Sequence, residues 1–255
     1  KTNRSYEGLS ALIDDFYKSI LEGTSPIVTP ESIFETVAIC EKIAAAIKEK
    51  DIVAEDRAAA RLKTEADLLP TARAGGRVLV TGGTGFLGRA VCRELRSGGW
   101  PVVAASRTIP RFSERLPGVD YASIDLAEGV PEHSLQGVSA VVHCAAETSG
   151  GMEDQERNSV DATRKLMQAT AAAAVKRFIH ISSLGVLKTS RELGSPLDER
   201  TPVDAGNLQR GPYVWGKAES EQLARGLGLE LGLQVKVIRP GPLVDFAAFE
   251  PPGRL

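Results

Sequence analysis

The sequence predicts an α/β protein: a Rossmann-like, doubly wound parallel sheet preceded by a helical N-terminal segment. Three observations carry this. Short β-branched runs alternate with amphipathic stretches from residue 77 onward, a glycine-rich turn joins the first run to the first of those stretches, and residues 1–50 follow helical period alone. With 255 residues, 42% hydrophobic and 25% charged, the chain is long enough to bury a core of this kind.

Leu9, Leu12, Ile13, Phe16, Tyr17, Ile20 and Leu21 recur at i, i+3, i+4, and Gly23 falls where a helix C-cap belongs. Thr29-Pro30-Glu31 then reads as an N-cap, a proline at the first helical position and an acidic first turn. Ile33, Val37, Cys40, Ala44 and Ile47 give a second helix one apolar stripe. Two such helices make a poor domain alone, so their apolar faces are expected to pack on something else. Residues 51–76, rich in Ala, Arg and Glu and closing on Pro70-Thr71-Ala72-Arg73-Ala74-Gly75-Gly76, read as a charged helix followed by a flexible linker. The domain boundary is placed near Gly76.

From there the period changes. Arg77–Thr81 is a strand, Phe86–Arg96 a helix with Leu87, Val91 and Leu95 on one face, and Val102–Ala105, Tyr121–Ile124 and Ala140–Cys144 are further strands. An Ala-rich helix from Asn158 to Ala174 leads to a strand at Arg177–Ser182. Another helix starts near Tyr213, and Val235–Arg239 is the sixth strand. Continuous apolar strands alternating with helices indicate a parallel sheet covered on both faces, in the order 3-2-1-4-5-6.

The formal charge of −2 gives no electrostatic reason to expect a nucleic-acid or membrane partner. Cys40, Cys92 and Cys144 form no CxxC pair and share no ligand-like spacing with His133, His143 or His180, so neither a disulfide framework nor a metal site is expected, and a reducing cytoplasm is the default. No apolar run reaches the ~18 residues of a membrane span. The chain opens at Lys1 and closes at Gly253-Arg254-Leu255, which reads as a piece of a longer polypeptide.

Chemistry concentrates at a few places. Gly82, Gly85 and Gly88 lie between the first strand and its helix, where glycine permits a tight turn and brings backbone N–H groups and a helix dipole to a pyrophosphate. The second strand ends in Ser106-Arg107 with no carboxylate. A guanidinium there can meet a 2′-phosphate, so NADP is preferred over NAD. Arg89 can add charge. Asp125, after the third strand, can accept from an adenine amino group or begin a turn. Ala145 and Ala146 close the fourth strand with side chains small enough for a ribose and nicotinamide to lie against the backbone. Tyr213 and Lys217 stand four apart and share a helical face. A phenol with its ordinary pKa of ~10 is a poor base, and the Lys217 ammonium is expected to lower it. Ser183, after the fifth strand, is suited to hold the reacting oxygen.

Two resemblances follow. Leu21–Thr29 resembles the C-terminal end of the Gfo/Idh/MocA sugar oxidoreductases, which implies that residues 1–50 are the tail of an upstream oxidoreductase domain. Residues 77–245 resemble an extended short-chain dehydrogenase/reductase of the NAD-dependent epimerase/dehydratase family. The match rests on TGGTGFLG (Thr81–Gly88), VVHCAAE (Val141–Glu147), Asn158 opening its helix, HISS (His180–Ser183), YVWGK (Tyr213–Lys217) and RPGPLVD (Arg239–Asp245). It implies Ser183, Tyr213 and Lys217 as the catalytic set. It also implies cofactor contacts from Gly82, Gly85, Phe86, Leu87, Gly88, Arg107, Asp125, Leu126, Ala145, Ala146, Tyr213 and Lys217, with Lys217 bonding the nicotinamide ribose. Gly216 stands where the family often has Ser, a supporting position at which little is expected to be lost. Leu187-Lys188 replace a frequent Tyr-Gly, which puts substrate-side contacts in doubt. Residues 77–255 then form an NAD(P)-binding domain whose C-terminal substrate domain is truncated.

The implied activity is hydride transfer at a carbinol or carbonyl carbon of a sugar or nucleotide-sugar, by an oxidoreductase or epimerase using NADP or NAD. A simple NADPH-dependent carbonyl reductase is the alternative, and a non-catalytic NADP-sensing or scaffold module the rival of another class. A homodimer through the Tyr213 helix and the Ala-rich helix is a further implication of the resemblance.

Overall fold

The computed structural model describes residues 7–188, 196–204 and 206–244. The chain divides into two compact units between Arg57 and Ala58.

The first unit is helical. Helix α1 (Glu7–Glu22) ends at Gly23, whose φ of 64° is the left-handed cap the sequence calls for. Helix α2 (Pro30–Asp67) begins at Thr29, whose Oγ1 accepts from the Ser32 N–H at 3.3 Å. Leu9, Leu12, Ile13, Phe16 and Ile20 remain exposed, so the expected packing of this stripe is not found among the described residues. No break falls at residue 50. No Gly or Pro lies between Pro30 and Pro70, and the Ala-rich stretch sustains high helix propensity, so α2 is one element of 38 residues.

The second unit holds a six-stranded sheet: β1 (Arg77–Thr81), β2 (Val102–Ser106), β3 (Val119–Ser123), β4 (Val138–His143), β5 (Arg177–Ile181) and β6 (Gln234–Ile238). The order is β3-β2-β1-β4-β5-β6, and every pairing is parallel. Alternation along each strand feeds two cores. Val78, Val80, Val102, Ala104 and Val142 meet Cys92 of helix α3 (Phe86–Ser97) on one face. Leu79, Val103, Val141 and Phe178 meet Leu166, Met167 and Ala224 on the other. Leu166 and Met167 come from helix α5 (Ala162–Ala172), and Ala224 from helix α6 (Pro212–Glu230).

In this unit the start of one helix departs from expectation. Asn158 does not open its helix: the chain becomes helical at α4 (Met152–Gln155), widens into a π turn at Glu156–Asp161, and continues as α5. The earlier start is set by Gly151, whose N–H donates to Asp154 Oδ2 at 3.0 Å. Asp245 of the RPGPLVD motif and the residues after it lie outside the described residues, as does any truncation there. No helix among the described residues is long and apolar enough to cross a membrane.

Candidate active site

The sheet order reverses between β1 and β4, and a crevice opens there beyond the carboxyl ends of the strands. Its first wall is the glycine turn. Gly82 has φ 65°, and a Cβ on it would stand 2.8 Å from Ala145 N and 2.9 Å from Ala145 Cα, so only glycine lets the end of β1 approach the residues after β4 this closely. A Cβ on Gly88 would overlap the Gly82 carbonyl oxygen, which fixes α3 down on the turn. The first N–H groups of α3, at Phe86 and Leu87, therefore face a cavity of about 880 Å³.

That cavity gathers almost every residue singled out from the sequence. Gly82, Gly85, Phe86, Leu87, Gly88, Arg107, Asp125, Leu126, Ala145, Ala146, Tyr213 and Lys217 all line it. Arg89 does not; its guanidinium bonds the Glu114 carbonyl. Arg107 is exposed at the end of β2, beside Ser106, whose hydroxyl donates to the Thr108 carbonyl at 2.7 Å. Asp125 lines the cavity and also begins a turn, its Oδ1 accepting from the Ala127 N–H at 3.0 Å. The cleft fits a dinucleotide: a glycine cradle and helix N-terminus suit a pyrophosphate, a guanidinium stands at one end, and a phenol and an amine stand at the other.

At that second end, Lys217 is buried and its Nζ donates to the Ile181 carbonyl at 2.8 Å. Burial pulls its pKa down to about 8, with Cys144 acting weakly the other way. The Tyr213 phenol is half-buried. Burial raises its pKa, and the nearby Ser183 side chain opposes that rise. The lowering expected from Lys217 is thus replaced by a net upward shift, because desolvation of the phenolate outweighs what the neighbouring groups supply. Ser183 also accepts from the Gly185 N–H at 3.0 Å, while its neighbour Ser182 lines the cavity.

Sequence reading missed Glu147 and Asn158 as cavity residues. Glu147 Oε1 accepts from the backbone N–H groups of Thr148, Ser149 and Gly150 at 2.9, 3.1 and 3.2 Å, and Oε2 accepts from Asn158 Nδ2 at 3.3 Å. These bonds, led by the one from Ser149, hold the carboxyl pKa below its ordinary value although burial opposes them. The run Glu-Thr-Ser-Gly-Gly was the available signal, a turn-forming cluster directly after β4. Among the described residues no group of His, Cys, Asp and Glu stands where it could hold a metal ion.

A parallel sheet in this order, with a glycine turn clamped on its helix and the cleft at the switch point, defines the protein as a Rossmann-fold dinucleotide-binding domain. The chain belongs to the NAD dependent epimerase/dehydratase family, whose profile matches residues 78–244. "Sterol-4-alpha-carboxylate 3-dehydrogenase, decarboxylating" of Dictyostelium discoideum is 28% identical over 178 residues, 66% of this chain and 53% of its own length. Vestitone reductase of Medicago sativa is 30% identical over 178 residues, 62% of this chain and 54% of its own. Among solved structures, MoeE5 in complex with UDP-glucose and NAD is 28% identical with a TM-score of 0.53, covering 64% of this chain and 52% of that one. The chain thus spans about half the length of the curated relatives it matches.

Proposed function

We propose that residues 77–255 form the nucleotide-binding part of an NAD(P)-dependent oxidoreductase or epimerase that acts at a carbinol or carbonyl carbon of a sugar or nucleotide-sugar. The observation that carries this is the meeting of Tyr213, Lys217 and the glycine turn on one cavity. The N–H groups around Gly85, Phe86 and Leu87 would hold the pyrophosphate, Ser106 and Arg107 the adenosine ribose or its 2′-phosphate, and Lys217 the nicotinamide ribose. Bound nicotinamide would supply or accept the hydride. Ser183 would hold the substrate oxygen, and Tyr213 would give it a proton in reduction or take one in oxidation. The upward shift of the phenol keeps it protonated at neutral pH, which suits the donating role.

The sugar reading draws on the MoeE5 likeness, whose partner molecule is UDP-glucose. Vestitone reductase favours the second reading, a carbonyl reductase that releases a net reduced product. Fold alone does not choose between them. A sensor or scaffold module would need the glycine turn but not Ser183, Tyr213 and Lys217 together. Helices α5 and α6 lie side by side and are the faces through which we infer a homodimer. Three free thiols, two of them shielded, agree with a cytoplasmic setting. Residues 1–50 as the tail of an upstream domain, and 51–76 as its link, complete the proposal.

The test is titration of the chain with NADPH and NADH by nicotinamide fluorescence, with Tyr213→Phe alongside. Tight binding by both forms, with proton-coupled turnover lost only in Tyr213→Phe, supports an enzyme. Binding of neither dinucleotide by the wild-type chain removes the basis of the proposal.

A further inference from the structure

Gln155 has no measurable exposure, yet it is neither core hydrocarbon nor part of the cavity wall. Its amide is held at both ends in a closed ring of hydrogen bonds. The Glu147 N–H donates to Ser159 Oγ at 3.0 Å, the Ser159 hydroxyl donates to Gln155 Oε1 at 3.0 Å, and Gln155 Nε2 donates to the Glu147 carbonyl at 3.1 Å. The orientation of the amide follows from this ring: reversed, its carbonyl would face the Glu147 carbonyl and the Ser159 hydroxyl would lose the oxygen it donates to.

The other side of Gln155 rests on α6. A Cβ at Gly216 would overlap Gln155 Oε1 and stand 3.0 Å from both Cβ and Cδ of the same side chain. Gly216 lies between Tyr213 and Lys217 and is itself buried. Because the ring holds the amide, Gln155 cannot swing aside without leaving buried polar atoms unpaired. Gly216 is therefore not a neutral replacement for serine; it is the notch that Gln155 occupies. The ring also reaches the cavity, since Glu147, whose backbone supplies two of its three bonds, cages residues 148–150 and holds Asn158 with its carboxylate.

We propose that Gln155 is a positioning residue: wedged into the gap at Gly216, it sets the spacing between the Glu147 loop and the Tyr213–Lys217 turn, and through it the seat of the nicotinamide end of the dinucleotide. This rests on the nucleotide reading above. It assigns the adenine half to a different part of the cleft, the glycine turn and the end of β2, which the Gln155 wedge does not touch.

The experiment pairs whole and half ligands on the full chain: NADH with ADP, and NADPH with adenosine 2′,5′-bisphosphate. Gly216→Ser is expected to weaken the whole dinucleotide about tenfold or more, as overpacking by a few atoms does, while the half ligand holds to within about twofold. Gln155→Ala removes the wedge and opens the ring, and is expected to give a selective loss of the same kind. If Gly216→Ser does not fold by circular dichroism, Ser159→Ala opens the ring without adding atoms and is expected to give the same selective loss. The positioning role is overturned if Gly216→Ser or Gln155→Ala binds dinucleotide as wild type does, or if whole and half ligands weaken together. A wild-type chain that binds half ligand but no dinucleotide also overturns it. A wild-type chain that binds neither overturns the nucleotide reading itself.

Discussion

The Lys217 ammonium donates to the Ile181 carbonyl at 2.8 Å, tying the second turn of α6 to the last residue of β5. The same bond holds the amine in a buried place, and this has a thermodynamic signature. Burial lowers its pKa from 10.5 to about 8. Between those values the unfolded chain binds a proton that the folded chain has released, so stability rises with pH across the window, and the cost of burial is fully present below about pH 8.

Lys217→Met should remove that slope. Urea unfolding at pH 7.5 and pH 10 should show the wild type gaining on the variant by about 2–3 kcal/mol, the free energy of roughly two pKa units. Comparison with the variant cancels Cys92, whose raised pKa acts oppositely at high pH, while Cys144, which interacts with Lys217, is replaced by Ser in both proteins. Parallel curves for the two proteins would mean that Lys217 is solvated.

His180 gives a second pH signature, on the acid side. Neither ring nitrogen has a hydrogen-bond partner among the described residues, and burial, with Lys217 and Arg225 adding to it, lowers the pKa to about 3. From pH 6.5 downward the unfolded chain takes the proton first, so wild-type stability falls with falling pH. His180→Leu should match or exceed the wild type at pH 7, since an unpaired buried polar group costs about 1–3 kcal/mol. Its advantage should widen by about 2 kcal/mol at pH 5. Equal acid sensitivity in both proteins would show that His180 is not the group responsible.

Glu221 and Arg239 join α6 to the end of β6. Arg239 Nη2 meets Glu221 Oε1 at 2.6 Å and Nε meets Oε2 at 3.0 Å, and the Glu221 side chain is fully buried. Burial alone would raise the carboxyl pKa, but the bonds from Arg239 and Arg225, with the Ser182 side chain close by, bring it below the ordinary value. Glu221→Gln strands a guanidinium and should cost about 3 kcal/mol, whereas Glu221→Gln with Arg239→Met should cost less than the single change. Denaturant midpoints of the four proteins in this cycle decide it; additive losses would show that the pair is not coupled.

The strands and the glycine turn were legible because both are local: alternation of Val and Leu along β1, and three glycines at the spacing a turn requires, need no distant partner. Tyr213 and Lys217 were legible as a pair but not in their electrostatics. The amine spends its bond on Ile181, and the phenol is governed by burial and Ser183, neither of which has a sequence spacing. The same holds for Gly216, whose meaning depends on Gln155 sixty-one residues earlier in the chain. The helix start at Met152 was recoverable from Gly151 followed by Glu153 and Asp154, but the π turn around Asn158 was not, because only tertiary packing selects an extra residue within a turn.

Arg107 carries the choice of dinucleotide. It lines the cavity at the end of β2, where no carboxylate stands to accept from a ribose hydroxyl. Its backbone is fixed: the Arg107 carbonyl accepts from Ser123 Oγ at 2.8 Å, and Ser106 donates to the Thr108 carbonyl, while the side chain remains exposed. A guanidinium on an anchored backbone can form paired, charge-assisted bonds with a 2′-phosphate, each stronger than a neutral hydrogen bond. NADPH is therefore expected to bind the wild type more tightly than NADH by about tenfold or more, narrowing as salt is raised. Arg107→Ala should remove that margin by weakening NADPH while leaving NADH within about twofold, and Arg107→Lys should keep part of it as a point charge without the fork. Fluorescence titrations of both cofactors at two ionic strengths read all of this. Equal affinities in the wild type, or parallel losses in Arg107→Ala, would return Arg107 to an ordinary solvated loop and leave NAD as the cofactor.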